Sequence, residues 1–250
     1  MEPTIYKLGA YNTPGIYKGA GGIYNGNGVY KDGEGASEYI EDDFVCLYNG
    51  LDNSGLPINY GSLGTVYRDS NGPIISPDGL GMPYYDRDKF TASDGGACAV
   101  YNEFKNIFKD NIFTIDFWFY YNNSVILENA YVIGMYNNDR SVNIFEFKMK
   151  DASHYLVGQT SKQYNMSIKT RTWTHVAFVC NDTLAYVFKN GVLESTLDYS
   201  GISKYTNINR LRFRKTDYYN GGIRIAQFAI RDYPVWTSNF DIPTKIYKQK

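Results

Sequence analysis

The strongest hydrophobic pattern in the chain lies at residues 113–121, which read Phe-Thr-Ile-Asp-Phe-Trp-Phe-Tyr-Tyr. Eight of these nine residues are aromatic or β-branched, and the stretch contains neither glycine nor proline, a composition that favours a β-strand. One parity is apolar throughout, whereas the other carries Thr114, Asp116, Trp118 and Tyr120. This alternation predicts an inner strand of a two-layer sandwich, with the fully apolar parity in the core.

Shorter strand patterns flank this stretch on both sides. Before it, the predicted strands are residues 44–48, 63–67 and 95–101, with a turn at Asn49-Gly50 and a single helical turn at 102–108. After it, the predicted strands are residues 131–135, 144–149, 173–180, 184–189, 192–197, 211–214 and 223–230. Asn190-Gly191 is the strongest hairpin signal, because both residues tolerate the positive φ angles of a type I′ turn. Short strands at this spacing, with almost no helix, predict an all-β sandwich or barrel.

The first 40 residues differ in composition from the rest of the chain. Nine of the first 35 residues are Gly, and a hydrophobe-Tyr pair recurs, which predicts brief β-like units closed by turns. So few units cannot bury a core alone. We therefore expect residues 1–40 to be an attachment or oligomerisation segment, and residues 41–250 to be the sandwich domain. The alternative is a flexible, Gly-rich leader. The candidate attachment residues are Tyr17, Tyr24 and Tyr30.

Charge and hydropathy argue against two classes of partner. The formal net charge is −1 and the sequence pI is about 6.1, which provides no basic field of the kind that nucleic-acid binding relies on. The chain has no apolar run near the roughly 18 residues of a membrane span, and its N-terminus lacks the features of a secretion signal. We expect no nucleic-acid partner and no membrane insertion.

Candidate catalytic and metal-binding residues are few. Cys46, Cys98 and Cys180 are widely spaced and are interpreted as reduced, mostly buried thiols, so a zinc site has no support. A glycoside hydrolase needs two carboxylates about 5 to 9 Å apart across the sugar, but Glu146 stands alone between Phe145 and Phe147. No Gly-x-Ser-x-Gly elbow supplies a serine nucleophile. We predict that the chain is not an enzyme; a glycanase would require turnover of β-glucans.

Two aromatic clusters on predicted loops are candidates for ligand binding. Sugar recognition favours an aromatic face for the apolar C–H groups, with amide and carboxylate partners around it. The alternative is that these tyrosines pack on loops or on a neighbouring subunit. The candidates are Tyr84, Tyr85, Asp217, Tyr218, Tyr219 and Asn220.

Several motifs, in this order, resemble the concanavalin A-like, laminin-G-type jelly rolls. They are Phe113-Thr114-Ile115-Asp116-Phe117-Trp118, then Trp173-Thr174-His175-Val176-Ala177, then the Lys189-Asn190-Gly191 hairpin. The opening Cys46-Leu47-Tyr48-Asn49-Gly50 fits as well, and residues 225–244 are similar to the end of such domains in bacteriophage and bacterial surface proteins. The resemblance covers roughly residues 44–247.

The resemblance implies two antiparallel sheets in a jelly-roll sandwich, a concave face, and edge loops that bind glycans or protein surfaces. The family includes lectins and glycanases, so the fold alone leaves the function undecided. The hydrolases of the family carry an alternating Glu-x-Asp-x-x-Glu strand, which this chain lacks, and His175 matches a structural position. Some relatives bind Ca²⁺ at the rim. Candidate ligands for Ca²⁺ here, which could equally be turn formers, are Asp182, Asp198 and Asp217.

These observations favour a non-enzymatic surface protein of a bacteriophage virion, either a head or tail fibre or a capsid decoration, assembled in the cytoplasm of the bacterial host. Residues 1–40 would bind other virion proteins or form a homo-oligomer, with a trimer favoured. The jelly roll would bind cell-surface or environmental glycans. Two alternatives remain open: a purely structural virion protein whose jelly roll contacts only other virion proteins, and a lectin module on a bacterial cell surface.

Overall fold

The computed structural model of the chain describes residues 17–19, 22–25, 28–31, 39–51, 57–63, 67–68, 75–76, 84–86, 96–100, 104–108, 110–121, 130–137, 143–151, 153–159, 161–200, 202, 208–214, 223–243 and 246–250. Within these ranges the strands up to the helix are β1 (Tyr17–Gly19), β2 (Gly22–Asn25), β3 (Gly28–Lys31), β4 (Tyr39–Asp42), β5 (Cys46–Leu51), β6 (Pro57–Asn59), β7 (Tyr67–Arg68), β8 (Ile75–Ser76), β9 (Tyr84–Asp86) and β10 (Gly96–Val100). The single-turn helix α1 (Phe104–Ile107) is followed by β11 (Ile112–Tyr121), β12 (Ala130–Tyr136), β13 (Asn143–Met149), β14 (His154–Gln159), β15 (Lys162–Ser167), β16 (Thr174–Asn181), β17 (Leu184–Lys189), β18 (Val192–Asp198), β19 (Arg210–Arg214), β20 (Ile223–Arg231) and β21 (Ile246–Gln249).

Two antiparallel sheets form a sandwich. In the described part of the chain, one sheet has the strand order β15-β14-β13-β12-β19-β10-β7, which we call the β13 sheet. The other, the β11 sheet, has the order β18-β17-β16-β11-β20-β5-β6, with β9 also paired to β20 and β8 paired to β9. This architecture confirms the predicted all-β, antiparallel, two-sheet jelly-roll sandwich.

The aromatic strand β11 lies at the centre of its sheet, as predicted, between β16 and β20. Its fully apolar parity, from Phe113 to Tyr121, belongs to the main core. Across the sandwich, Phe117 packs edge-on against Phe145 and Phe147 of β13, with ring-centroid distances of 6.5 and 5.1 Å. These rings fill the space between the sheets, so β11 connects the two layers.

The other parity of β11 is also buried, because the segment that follows β20 covers the outer side of the β11 sheet. The Thr114 hydroxyl donates to the Tyr233 carbonyl oxygen at 2.7 Å and accepts from the Val235 N–H at 3.0 Å. Trp118 is buried outside the main core, edge-on to His175 at a ring-centroid distance of 5.3 Å. We call residues 232–250 the C-terminal strap.

β20 contains a β-bulge, and one of its residues forms a hydrogen bond with the C-terminal strap. The register between β11 and β20 shifts between Asp116 and Trp118, so that Gln227 and Phe228 together lie opposite Phe117. Gln227 has a φ of 52°. Phe228 belongs to the main core, whereas the side-chain oxygen of Gln227 accepts from the Tyr247 N–H of the strap at 2.8 Å. The extra residue therefore anchors the strap.

Several local predictions differ from the structure. Asn49-Gly50 lies inside β5 and not in a turn, because residues of β5 pair with β6 and β20. Ser62 and Leu63 lie in a turn, so the predicted strand does not begin at Leu63. Tyr67 begins β7, and residues 64–66 of that prediction lie outside the described residues. The strands that the sequence pattern did not predict include β4, β14, β15 and β21.

The Gly-rich leader contains the predicted short strands. β1, β2 and β3 form an antiparallel sheet in which Tyr17 pairs with Tyr24 and Ile23 pairs with Tyr30. β4 follows and pairs in parallel with β21. The attachment role of residues 1–40 and the domain boundary at residue 40 stay predictions. Among the described residues, α1 is far too short to cross a membrane, and no other helix qualifies.

Candidate functional site

The outer side of the β13 sheet carries polar side chains. In β13, Phe145, Phe147 and Met149 belong to the core, so the alternating residues Glu146 and Lys148 lie on the outer side. The strand registers align Glu146 with glycine on both neighbouring strands, Gly134 of β12 and Gly158 of β14. Glu146 is thus flanked by positions without side chains.

The Glu146 carboxylate is held between two amides, although it lies outside the core. The Asn143 side-chain N–H donates to Oε1 and the Gln163 side-chain N–H donates to Oε2, each at 3.3 Å. Glu146 is only 3% exposed. Burying a carboxylate costs free energy unless it is hydrogen-bonded, so the two amides stabilise Glu146 in this position.

An aromatic ring completes the arrangement. A Cβ atom added to Gly134 would lie 2.2 Å from the Tyr136 hydroxyl oxygen and 2.3 Å from its ring, so the Tyr136 ring lies over Gly134, next to the position of Glu146. We call Tyr136, Asn143, Glu146 and Gln163 the polar cluster. It combines an aromatic ring, a carboxylate and two amides, which are the groups that orient sugar rings in proteins.

The amides and the carboxylate of the polar cluster form hydrogen bonds with one another. The partners of Glu146 described above are amides, which cannot act as the second carboxylate of a glycosidase. Within the described ranges, no group of three or more His, Cys, Asp and Glu residues could hold a metal ion. The arrangement offers hydrogen-bonding groups to a polar ligand.

A second group of charged residues is sealed beneath the C-terminal strap. Asp116 accepts a hydrogen bond from Arg231 Nη1 at 2.5 Å and from the Tyr247 hydroxyl at 2.6 Å, and it lies 3.2 Å from His175 Nε2. Arg231 Nε also donates to Asp42 of β4 at 2.7 Å. We call these five residues the buried charge network.

Electrostatics keep the acids of this network ionised. Burial alone would raise the pKa of Asp116, but the Arg231 guanidinium, followed by the hydrogen bond from His175, outweighs it and holds the pKa below its ordinary value. The pKa of Asp42 is also lowered: burial opposes the shift, and the hydrogen bonds from Tyr233 and Arg231 outweigh burial. His175 is fully buried, so it holds Asp116 and cannot reach a substrate, as predicted.

A laminin G family model, described as the concanavalin A-like lectin/glucanases superfamily, matches residues 93–240. The chain belongs to this superfamily. The predicted resemblance is thereby confirmed for the jelly roll. Lectins and glucanases share this fold, so the chemistry of the polar cluster carries the functional argument.

Solved structures similar to this superfamily member include the binding domain of botulinum neurotoxin serotype G, with a TM-score of 0.59, 14% identity, and coverage of 77% of this chain and 48% of that chain. The binding domain of Paraclostridial Mosquitocidal Protein 1 has a TM-score of 0.59, 14% identity, and coverage of 78% and 50%. The binding domain of botulinum neurotoxin DC in complex with SialylT has a TM-score of 0.54, 12% identity, and coverage of 78% and 49%. The chain spans about half the length of these binding domains. No curated protein matches it in sequence.

The candidate tyrosines of this lectin-like chain are only partly placed. Tyr84 and Tyr85 lie in β9, where they pair with Ala226 and Ile225 of β20, so the predicted loop position is wrong. Their strand joins the β11 sheet and is therefore on the other layer from the polar cluster. Their role in binding stays a prediction. Outside the described residues lie Asp217, Tyr218, Tyr219 and Asn220.

The candidate calcium ligands have turn-forming roles where they are described. Asp198 Oδ1 accepts from the Ser200 N–H at 2.9 Å. Asp182 has a φ of 56° and its N–H donates to the Asn111 carbonyl oxygen at 2.9 Å. Asp217 lies outside the described residues, and the calcium site stays a prediction. Cys46 and Cys180 are buried thiols, as predicted, and burial raises the pKa of Cys180 to about 12.

An Asp, a Ser and a His at the turn before β14 do not form a catalytic triad. The Asp151 carboxylate and the Ser153 hydroxyl both contact the same ring nitrogen, His154 Nδ1, at 2.8 and 3.3 Å. A triad needs the nucleophile and the acid on opposite nitrogens of the imidazole. The hydrogen bonds from the Ser153 N–H and from His154 lower the pKa of Asp151 to about 2, which is the signature of a tight turn.

The sequence analysis named Glu146 only as a lone carboxylate that argues against a glycosidase, and it did not predict the polar cluster as a site. Tyr136, Asn143 and Gln163 come from three different strands, and only the pairing of those strands brings them together. β13 reads Asn-Ile-Phe-Glu-Phe-Lys-Met, so Glu146 is its one acidic residue, but nothing in this pattern marks the partners on other strands.

Proposed function

We propose that this chain is a non-catalytic, lectin-like glycan-binding protein and that the polar cluster orients its ligand. The observation that carries the proposal is the Glu146 carboxylate, held by the Asn143 and Gln163 amides beside the Tyr136 ring. Asn143 and Gln163 are partly exposed, whereas Tyr136 is 7% exposed and Glu146 is 3% exposed. The amides would therefore contact the hydroxyl groups of a sugar, and Glu146 would hold the amides in place.

Similar structures support this proposal without deciding it. The binding domain of botulinum neurotoxin DC is known in complex with SialylT, and the same domain is known in complex with rat synaptotagmin II. The similarity is at 12% and 13% identity and concerns the fold.

The test of glycan binding uses the full chain and a glycan array. We expect the wild type to bind at least one glycan class. Gln163→Ala, which removes one amide from an edge strand of the β13 sheet, should weaken binding about tenfold, as expected for a lost hydrogen bond of about 1.5 kcal/mol. Thr196→Ala is the matched control, because Thr196 is exposed on the edge strand β18 of the other sheet.

The outcomes separate the alternatives. A folded chain that binds no glycan would overturn the lectin proposal and favour a purely structural role among other proteins of an assembly. Equal weakening by both substitutions would show that the ligand does not bind at the polar cluster. Turnover of β-glucans that is lost in Glu146→Gln would instead establish a glycanase.

We further propose that this lectin-like domain is displayed on a bacteriophage virion, with the leader bound to other virion proteins or forming a homo-oligomer such as a trimer. Support comes from the separate leader sheet β1–β3 and from the similarity of the closing motif to phage proteins.

Deletion of residues 1–38, which stops before β4 begins at Tyr39, should abolish incorporation into particles while the sandwich stays folded. Unchanged incorporation would refute the attachment role. A bacterial surface lectin is the alternative, and a chain found on cells and not on particles would support it.

A further inference from the structure

The strand beside the polar cluster carries arginine at every other position. β19 reads Arg-Leu-Arg-Phe-Arg, and Leu211 is fully buried in the main core. The alternating positions Arg210 and Arg212 are in register with Tyr136 and Gly134 of β12, which belong to the outer side of the β13 sheet. Arg214, at the end of β19, pairs with Gly96 of β10.

These register positions lie close to the Glu146 carboxylate. Arg212 and Glu146 flank the same residue, Gly134, on its two neighbouring strands. Two strand spacings separate their backbones, which is about 10 Å. Gly134 has no side chain, and the ring of Tyr136, also on β12, lies over it. This ring therefore occupies the space between the positions of Arg212 and Glu146.

The charge at this surface differs in sign from the charge of the whole chain. On the alternating outer positions of β12, β13 and β19, the basic residues are Arg210, Arg212, Arg214 and Lys148, and the acidic residue is Glu146. The complete chain has a formal net charge of −1. The excess of positive charge is therefore local to the surface that contains the polar cluster, and it would attract an anionic ligand from solution.

We propose that the ligands of the polar cluster are anionic glycans, and that the acidic group of the glycan lies over β19 while a neutral ring contacts the partly exposed amides of Asn143 and Gln163. This inference rests on the proposed glycan-binding function. Glu146 repels an acidic group and so favours its placement on the arginine side. Guanidinium groups bind carboxylates and sulfates through paired charge-assisted hydrogen bonds. The shared chemistry is a single anionic group on a sugar, either the carboxylate of a sialic or uronic acid or a sulfate ester.

The test compares matched glycan pairs on the full chain: sialylated and desialylated oligosaccharides, and sulfated and desulfated ones. We expect the acidic member of at least one pair to bind about tenfold or more tightly, as for one charge-assisted hydrogen bond. Its affinity should fall as salt is raised from about 0.1 M to about 1 M, since the screening length shortens from about 10 to about 3 Å. The pair that shows the preference identifies carboxylate or sulfate as the source.

Single substitutions locate the effect. Arg210→Gln and Arg212→Gln should each reduce binding of the acidic glycan about tenfold and leave binding of its neutral partner within about twofold. Lys169→Gln is the matched control, because it removes the same charge from an exposed position between β15 and β16. If either arginine variant fails to fold, the salt dependence of the wild type still decides the question.

Each outcome has a distinct meaning. Equal binding of acidic and neutral members, with no salt dependence, would overturn the anionic-glycan inference and leave the lectin proposal standing. Absence of binding to every glycan would overturn the lectin proposal itself. A preference for acidic glycans that Lys169→Gln reduces as much as the arginine variants would show that net charge, and not β19, is responsible.

Discussion

At the scale of single residues, Asp116 is the most constrained group in the described structure. Its two oxygens face Arg231, Tyr247 and His175, which lie on three different strands. A buried ion pair adds little net stability over an apolar substitute, but removal of one partner leaves the other charge buried and uncompensated. The network therefore sets which strands lie together more than it adds to the free energy of unfolding.

Substitution of Asp116 by Asn tests this view. The variant keeps the shape of the side chain but leaves the Arg231 charge without its nearest buried partner, so we expect the free energy of unfolding to fall by about 3–5 kcal/mol. Urea denaturation of both proteins measures the difference. Asp241→Asn, at an exposed position of the strap, should change stability by less than about 0.5 kcal/mol. A loss below about 1 kcal/mol for Asp116→Asn would contradict the argument.

The same variant should alter the response to acid. Because the folded-state pKa of Asp116 lies below its ordinary value of 3.8, its stabilisation is present above that value and is lost as the pH falls towards the folded pKa. The wild type should therefore lose stability below about pH 4, and Asp116→Asn should lose less over the same range. Some slope should remain, because the pKa of Asp42 is lowered too. If the free energy of unfolding falls equally with pH in the two proteins below about pH 4, Asp116 does not contribute to the acid sensitivity.

At the scale of elements, the β17–β18 hairpin both reverses the chain and holds the C-terminal strap. Asn190 and Gly191 have φ angles of 49° and 76°, as the predicted turn requires. The Phe240 N–H of the strap donates to the Gly191 carbonyl oxygen at 2.9 Å. A Cβ atom at Gly191 would lie 2.0 Å from the Phe240 carbonyl oxygen, so glycine is required by the strap as well as by the turn.

Gly191→Ala should consequently cost more than the backbone strain of a positive φ alone. We expect a loss of about 2 kcal/mol or more in the free energy of unfolding. Hydrogen exchange at the Phe240 amide should also become faster, because the strap has to move. The control is Asp182→Gly, which relieves a positive φ in the neighbouring β16–β17 turn and should change stability by less than about 1 kcal/mol. A normal Phe240 exchange rate in Gly191→Ala would argue against the contact.

The elements that the sequence predicted correctly are those with a strong hydrophobic pattern or a clear turn signal within their own residues. β11 and β16 are long and largely apolar, and the Asn190-Gly191 turn joins β17 to β18. Phe104 and Phe108 of the predicted helical turn have ring centroids 5.4 Å apart. β15 was missed because it reads Lys-Gln-Tyr-Asn-Met-Ser, with Met166 as its one fully buried side chain among the described residues. It is a strand because β14 offers it a partner.

The polar cluster was harder to predict than the fold for a related reason. Gln163 lies 17 positions from Glu146, and Arg231 lies 115 positions from Asp116. Residues so far apart in the sequence do not belong to one helix or strand, so no local sequence pattern shows that they are in contact. Such contacts follow from strand register, which is fixed by the whole core and not by the residues that make the contact.

At the scale of the whole molecule, the two ends of the sandwich depend on each other. β4 and β21 pair in parallel on the outer side of the β11 sheet, and Tyr247 packs with Phe44, Leu47 and Ala229 in a separate apolar cluster. Asp42 of β4 receives its hydrogen bond from Arg231, which also holds Asp116. The strap and β4 therefore close the sandwich together.

Truncation at the two ends should have unequal effects. Removal of residues 244–250 deletes β21 and Tyr247, which is 2% exposed, and should cost about 3–5 kcal/mol, as for loss of a large buried aromatic side chain. Removal of residues 1–38 leaves β4 intact and should cost less than about 1 kcal/mol. Thermal unfolding followed by near-UV circular dichroism compares the two chains. Equal losses would show that the leader is part of the folded core.

The parallel pairing of β4 with β21 also affects how the fold responds to a mechanical pulling force. Tyr39 lies beside Ile246, and Asp42 lies beside Gln249. A force that pulls on the chain before Tyr39 acts along the axis of β4. It therefore loads all the hydrogen bonds between β4 and β21 at the same time and not one after another. Rupture then requires these bonds to fail as a group, so a pulling force on the leader is opposed by the whole β4–β21 pair.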